Sequence, residues 1–214
     1  MSTTTPLSVT DFSTAAESHT PIPIGEEATS VPAYVQGIAT STHSRMPLES
    51  PPKTIRNMRD VTAMIVAEQV VDFCNAHGDL ITNLRLQKLL YYIQAWFLAL
   101  HNEPLFSDPI VASASGPIQE TVFSEYQYCG IGPIVRPSRG RQVPKKLAGH
   151  IQDVMEAYGH LSTFDLERVS KSEEPWRSAR QNLDLGDAAR PVIPMEVMKR
   201  FYEQKHRDAE EEEE

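Results

Sequence analysis

The sequence predicts a mainly α protein: a compact multi-helix domain around one central apolar helix, with one small β-hairpin, a disordered N-terminal arm and a disordered acidic tail. Three observations predict it. Apolar residues recur at helical spacing in separate blocks from Val61 to Phe201. The block from Leu89 to Leu100 is apolar on almost every face, as in a helix enclosed by others. The two ends have neither property: Ser and Thr fill 18 of the first 57 positions and Pro seven, while the last nine residues hold six acids and one base. Such segments bury too little apolar surface to offset the entropy of ordering them.

The chain thus divides into an arm (1–57), a helical domain (58–205) and a tail (206–214). Its net charge of −9 is shared as −2, −2 and −5, so the domain itself is close to neutral and has no global basic field to collect nucleic acid. In the arm, Ile22, Ile24 and Val31–Val35 with Tyr34 are the few apolar spots, read as linker ahead of a short motif that orders on a partner.

The first helix is expected over Met58–His77, with Val61, Met64, Ile65, Val71 and Cys74 on one face and Gly78 as its C-terminal stop. Thr82 or Asn83 caps the second, which runs to about Leu100 through Leu86, Leu89, Leu90, Ile93, Phe97 and Leu100. The prolines between Asn102 and Pro109 make a turn-rich link, and Ile110–Ala114 reads as a strand broken at Ser115-Gly116-Pro117. A third helix follows over Gln119–Cys129, burying Val122, Phe123 and Tyr126, and then a Pro- and Gly-rich loop at 131–144. Leu147, Ile151, Val154, Met155 and Tyr158 mark a fourth helix ending near Gly159. Ser162 with Asp165 resembles a capping box and opens a short helix from Thr163 to about Val169. Glu173-Glu174-Pro175-Trp176 is expected as a turn, and a last helix spans Pro194 to about Gln204.

Chemistry is sparse. None of the seven histidines has another at helical metal-site spacing, and there is no P-loop, GxGxxG or GxSxG. Cys74 and Cys129 stand 55 positions apart without a CxxC. The expectation is no enzyme, no metal and no cofactor; Cys129 joined in space by a distant histidine is the enzymatic alternative. Unpaired thiols and the lack of a secretory leader point to a reducing, cytoplasmic setting. The Leu89–Leu100 run, broken by Gln94, is about a dozen residues, short of the roughly 20 a membrane span needs. One basic cluster stands out: Arg136, Arg139, Arg141, Lys145 and Lys146. Without interleaved aromatics it reads as a solvated loop, with an acidic protein surface or DNA as the alternatives.

The segment Asn83-Leu84-Arg85-Leu86-Gln87-Lys88-Leu89-Leu90-Tyr91-Tyr92 resembles the signature of the Panacea (SocA/GepA-like) domain family, a pattern close to "nlKLqKLlYy". Pro104-Leu105-Phe106, Gly116-Pro117-Ile118, Phe123 with Tyr126, Pro175-Trp176 and Phe201-Tyr202 follow in that family's order, over roughly 60–203. Arg85 stands where the pattern usually has Lys, and Ala112–Ser115 replaces a stretch that usually carries an aromatic and another large residue. The resemblance implies a phage-associated antitoxin of a type II toxin–antitoxin system, binding a cognate toxin encoded by a neighbouring gene, with no cofactor. One branch implies an adaptor that delivers its toxin to a protease. A DNA-binding regulator using the basic loop is a further reading, which no helix-turn-helix signature supports.

Candidate partner-binding residues are Arg85, Lys88, Tyr91, Tyr92, Gly116, Pro117, Tyr126 and Trp176. Arg85 and Lys88 are like charges at i, i+3 near a helix N-terminus, a local conflict that suggests use against an acidic partner surface or a buried carboxylate. At least one of Tyr91 and Tyr92 is expected to pack with its hydroxyl paired. Gly116-Pro117 is expected to form a turn, and Trp176 to anchor the core ahead of serving an interface.

Overall fold

Every major element turns on one helix. In the computed structural model, residues 54–135, 141, 143–184 and 186–213 are described, within a unit spanning Glu49–Glu214. The expectations for residues 1–53, for Arg136 and Arg139 and for Glu214 lie outside the described residues.

Helix α1 (Ala63–Ala76) is shorter at its start than its periodicity suggests, because Thr62 caps it by accepting from the Ile65 amide at 3.4 Å. Met58–Asp60 ahead of it is a separate 3₁₀ turn capped by Asn57. The orphan amide of Ala63 reaches a distant carboxylate, Asp108 Oδ2, at 3.1 Å. Gly78 takes φ +70° in the following turn. Thr82 then caps α2 (Asn83–His101), which ends at Asn102 in the left-handed region.

Helix α2 contacts α1, α3, α4, α5, α7 and β2. Leu86, Leu89, Leu90, Tyr91, Tyr92 and Ile93 are fully buried, as the apolar run predicts, while Leu84 in the first turn is half-buried. Its polar residues fasten the loops. Gln94, the interruption in that run, donates to Phe106 O at 2.9 Å and accepts from the amides of Leu105 and Phe106 at 3.1 and 3.3 Å. Gln87 accepts from Gln119 N, and Asn83 donates to Phe123 O, both at 2.9 Å. Buried amides paired in this way cost the interior nothing like an orphaned group.

Strands β1 (Val111–Ser113) and β2 (Gly116–Ile118) form the antiparallel hairpin, with Ala112 facing Pro117 and Ser113 facing Gly116. Gly116-Pro117 thus opens β2 instead of ending the hairpin. Residues 191–193 lie against the other side of β1, through Ala112 N to Pro191 O and Ile193 N to Ile110 O. Pro117 is therefore on the edge away from that segment, where a missing N–H is tolerated.

The third expected helix divides into α3 (Glu120–Glu125) and a 3₁₀ turn at Gln127–Cys129, with Gly130 at φ +55° closing it. Helices α4 (Lys145–Tyr158) and α5 (Thr163–Ser172) lie where expected, α5 running nearly one turn longer from its Ser162 cap. The expected turn at Glu173–Trp176 is instead the start of α6 (Glu174–Ala179), because Pro175 falls in the first helical turn, where its missing amide is not needed.

Helix α7 (Met195–Glu213) overruns its expected end, so residues 206–213, read as a disordered tail, are helical. Glu is a good helix former, and pairs one turn apart support the extension: Gln204 to Asp208 at 2.6 Å and His206 to Glu210 at 3.5 Å. No helix among the described residues is long and apolar enough to cross a membrane.

Candidate protein-interaction site

Lys88 sits in the interior of α2, not on its surface, and is fully buried. Its Nζ donates to Pro117 O at 3.1 Å in β2. Burial pushes the amine down from 10.5 to about 7; Glu167 pulls it back up and Lys171 pushes it down. Gly116 is required there twice over. Its φ is +96°, and a Cβ at that position would stand 2.9 Å from Lys88 Nζ. The Lys and the Gly-Pro of the signature are thus one contact.

Arg85, one turn earlier, holds Asp79 of the same chain in a two-pronged pair at 3.0 and 2.9 Å and also donates to Gly159 O. The expected joint use of Arg85 and Lys88 against a partner is therefore corrected. The local like-charge conflict is relieved by Asp79 for one and by a backbone carbonyl for the other.

A second buried polar centre lies further along α2. Glu173, at the junction of α5 and α6, accepts at Oε2 from Tyr91 at 3.0 Å and Tyr202 at 2.7 Å, and Lys205 stands 3.5 Å from Oε1. Burial raises its carboxyl above the ordinary range, while Tyr202, Lys205 and Tyr91 draw it back down. Tyr91 and Tyr92 are both interior. Tyr92 stacks on Tyr158 with ring centroids 4.1 Å apart, and its buried hydroxyl has no hydrogen-bond partner among the described residues.

Tyr126 is fully buried too. Trp176 donates to Ser113 O at 3.0 Å, and Arg180 lies 5.6 Å over its ring. Arg180 donates to four carbonyls, those of Ala112, Ala189, Asp184 and Asp187, and so ties α6 to β1 and the 184–189 turn. Sequence reasoning missed Glu173, which it placed in a turn, and Arg180, which it placed in no element.

Of the basic cluster, Arg141, Lys145 and Lys146 are among the described residues. Arg141 pairs with Glu68 at 3.1 Å. Lys146 pairs with Glu103 at 3.6 Å and lies over the Phe97 ring, and Lys145 is exposed at the start of α4.

The signature residues being internal, the surface presents a different set. Leu80, Tyr128, Ile131 and Val135 are 59, 73, 99 and 73 % exposed. Thr82 bridges to Pro133 antiparallel and Ile134 N donates to Ile81 O at 2.8 Å, a register that sets Leu80 opposite Val135. The turn before α2 and the end of the loop after α3 thus bring Leu80 and Val135 side by side, while Tyr128 and Ile131 are exposed earlier in the same loop. Clusters of this kind mark interaction sites, whereas single exposed apolar residues do not. Its sequence signal was slight: Ile131 and Val135 lie within a stretch whose glycines and prolines announce only a loop.

Residues 86–177 match the family model described as antitoxin SocA-like, Panacea domain. That stretch is similar to a Panacea domain. The match runs from the first turn of α2 to α6 and so includes Lys88, Tyr91, Tyr92, Gly116, Pro117, Tyr126, Glu173 and Trp176. Arg85, Tyr202 and Lys205, which complete the two polar centres, lie outside the matched residues. No curated protein and no solved structure matches the chain. The similarity to an antitoxin-like domain family supports an antitoxin role for the protein.

Proposed function

We propose that the protein is a non-catalytic antitoxin that neutralises a cognate toxin by direct binding, and that the toxin seats on the surface of Leu80, Tyr128, Ile131 and Val135. The observation that carries this is the exposed apolar pair Leu80 and Val135, set opposite each other by the Thr82–Pro133 bridge, on a loop that also exposes Tyr128 and Ile131. The polar signature residues of α2, by contrast, are engaged within the fold. Seating an Ile or Val fully against a partner contributes about 1.5–3 kcal/mol, and an interface core of this kind tolerates no unpaired charge.

Co-expression with the product of the neighbouring gene, scoring growth and co-purification, tests the reading. The neighbour alone arrests growth, the wild-type protein restores it through a stable complex, and Ile131→Asp with Val135→Asp abolishes both while leaving the melting temperature unchanged. Rescue by the doubly substituted protein overturns the assignment of the surface. Rescue by the wild type without a complex, with a shortened toxin half-life, overturns neutralisation by binding in favour of delivery to a protease.

A further inference from the structure

The C-terminal end of α2 carries a second surface. Helices α2 and α7 run side by side in the same direction: Tyr91 and Trp96 both meet Tyr202, at 6.0 and 5.0 Å between ring centroids, and Trp96 then meets His206 at 6.4 Å. One turn beyond Trp96 is Leu100, which continues the apolar stripe of the central helix yet is 46 % exposed. An apolar cleft of about 160 Å³ opens there, with Trp96 and Leu100 on one side and His150, Val154, Ala157 and Tyr158 on the other.

Charge around this cleft is lopsided. Asp153 of α4 is part of its wall and is exposed. Helix α7, whose His206 meets Trp96 of the cleft, continues past it with Asp208, Glu210 and Glu211, and His206 holds Glu210, one turn on, at 3.5 Å. The nearby cations are largely engaged: Lys146 with Glu103 and the Phe97 face, and Lys205 with Glu173. Arg207 is the exception, and it contacts Gln204.

From this arrangement we infer that the α2–α4 cleft, beside α7, docks a basic amphipathic helix of a partner protein. One apolar side chain of that helix enters between Leu100 and Ala157, and its flanking Lys or Arg side chains meet Asp153 and the Glu210 and Glu211 of α7. The cleft has room for a single aliphatic side chain, and Asp153 in its wall, together with the acidic continuation of α7 past His206, favours a basic helix over an acidic one. This surface lies at the opposite end of α2 from Leu80, about 25 Å away by the rise of the helix. It is independent of where a toxin seats on the loop.

The test uses the full chain and two synthetic amphipathic helical peptides with a central leucine, one flanked by lysines and the other by glutamates, followed by backbone amide shifts. The lysine peptide is expected to bind saturably and to shift the amides around Leu100, Asp153 and Ala157. Leu100→Asp is expected to weaken it at least tenfold without changing the melting temperature. Glu210→Lys with Glu211→Lys is expected to move the preference toward the glutamate peptide. Lysine-peptide shifts spread along the acidic end of α7 alone, insensitivity to Leu100→Asp, or no saturable binding would each overturn the inference. None of these outcomes depends on the growth-rescue assay.

Discussion

Replacing Lys88 by Met isolates the largest electrostatic conflict in the fold. The side chain is fully buried with Pro117 O as its hydrogen-bond acceptor, and its amine titrates at about 7 instead of 10.5. Between those values the unfolded chain holds a proton that the folded protein has released, so stability rises with pH across the window. Each pH unit well inside it is worth about 1.4 kcal/mol. From about pH 7.5 to about pH 9 the wild type should gain about 2 kcal/mol in urea denaturation. The Lys88→Met variant should show none of that gain, although it leaves the Pro117 carbonyl unpaired at a cost of about 1–3 kcal/mol at every pH. Other groups do not confound the window. Burial and the neighbouring cation Lys146 lower His101, and burial lowers His150, so their contributions fall below pH 6.5. Burial raises Cys74 from 9.0 to about 11, which makes stability fall only above pH 9. Parallel stability–pH curves for the two proteins would refute a buried, neutralised amine.

The other polar contacts give sharper local tests. Gly116→Ala meets both a φ of +96° and the Lys88 amine, and should destabilise by about 1–3 kcal/mol from backbone strain alone; combined with Lys88→Met its effect should be less than additive, as a double-mutant cycle would read. Tyr202→Phe removes the 2.7 Å donor to Glu173 and should lower stability by about 1–2 kcal/mol while raising the carboxyl further. The part of that loss carried by the charged carboxylate should be present above its raised folded-state range and disappear as pH falls through it, which a pH series of melting temperatures reads. Arg180→Met withdraws a donor from four carbonyls, of which Asp184 O keeps the Asp187 amide, and should cost about 1–3 kcal/mol by chemical denaturation, more than an exposed-arginine substitution. Deleting residues 207–214 should lower the helical circular dichroism signal yet leave the unfolding midpoint in place, since Tyr202 is the last fully buried side chain of α7 among the described residues.

Much of the fold was legible because its carriers are periodic. The apolar stripe of α2 and the caps at Thr82 and Ser162 each have a local signature, and each was found in the expected place. What local reading missed follows from pairing at long range or from context. Pro175 next to Trp176 reads as a turn until one sees that it occupies the first turn of a helix. The Glu-rich end reads as solvated chain because like charges in a run repel. The i, i+4 partners at 204–210 and the packed stretch before them continue α7 instead. The site residues show the same divide. Sequence logic correctly marked Arg85 and Lys88 as a local conflict, but the groups that relieve it, Asp79 and Pro117 O, lie 6 and 29 positions away.

The burial of the signature residues also constrains what similarity to the family can convey. Lys88, Gly116 and Pro117 are one contact, and Tyr91, Glu173 and Tyr202 another, so the motif that identifies a Panacea domain specifies how α2 is enclosed. A partner meets none of these atoms while the domain stays folded. The two proposed surfaces, Leu80 with the loop from Tyr128 to Val135 and the cleft at Leu100, are exposed, and no packing rule dictates their side chains. Two proteins with the same buried contacts and different residues at those two ends of α2 should therefore share a fold and differ in what they bind. Exchanging the 127–135 loop between them should transfer partner preference without altering the buried lysine's pH signature. If the preference instead follows the residues around Lys88, the partner must open the core to bind, and the exposed loop is only a loop.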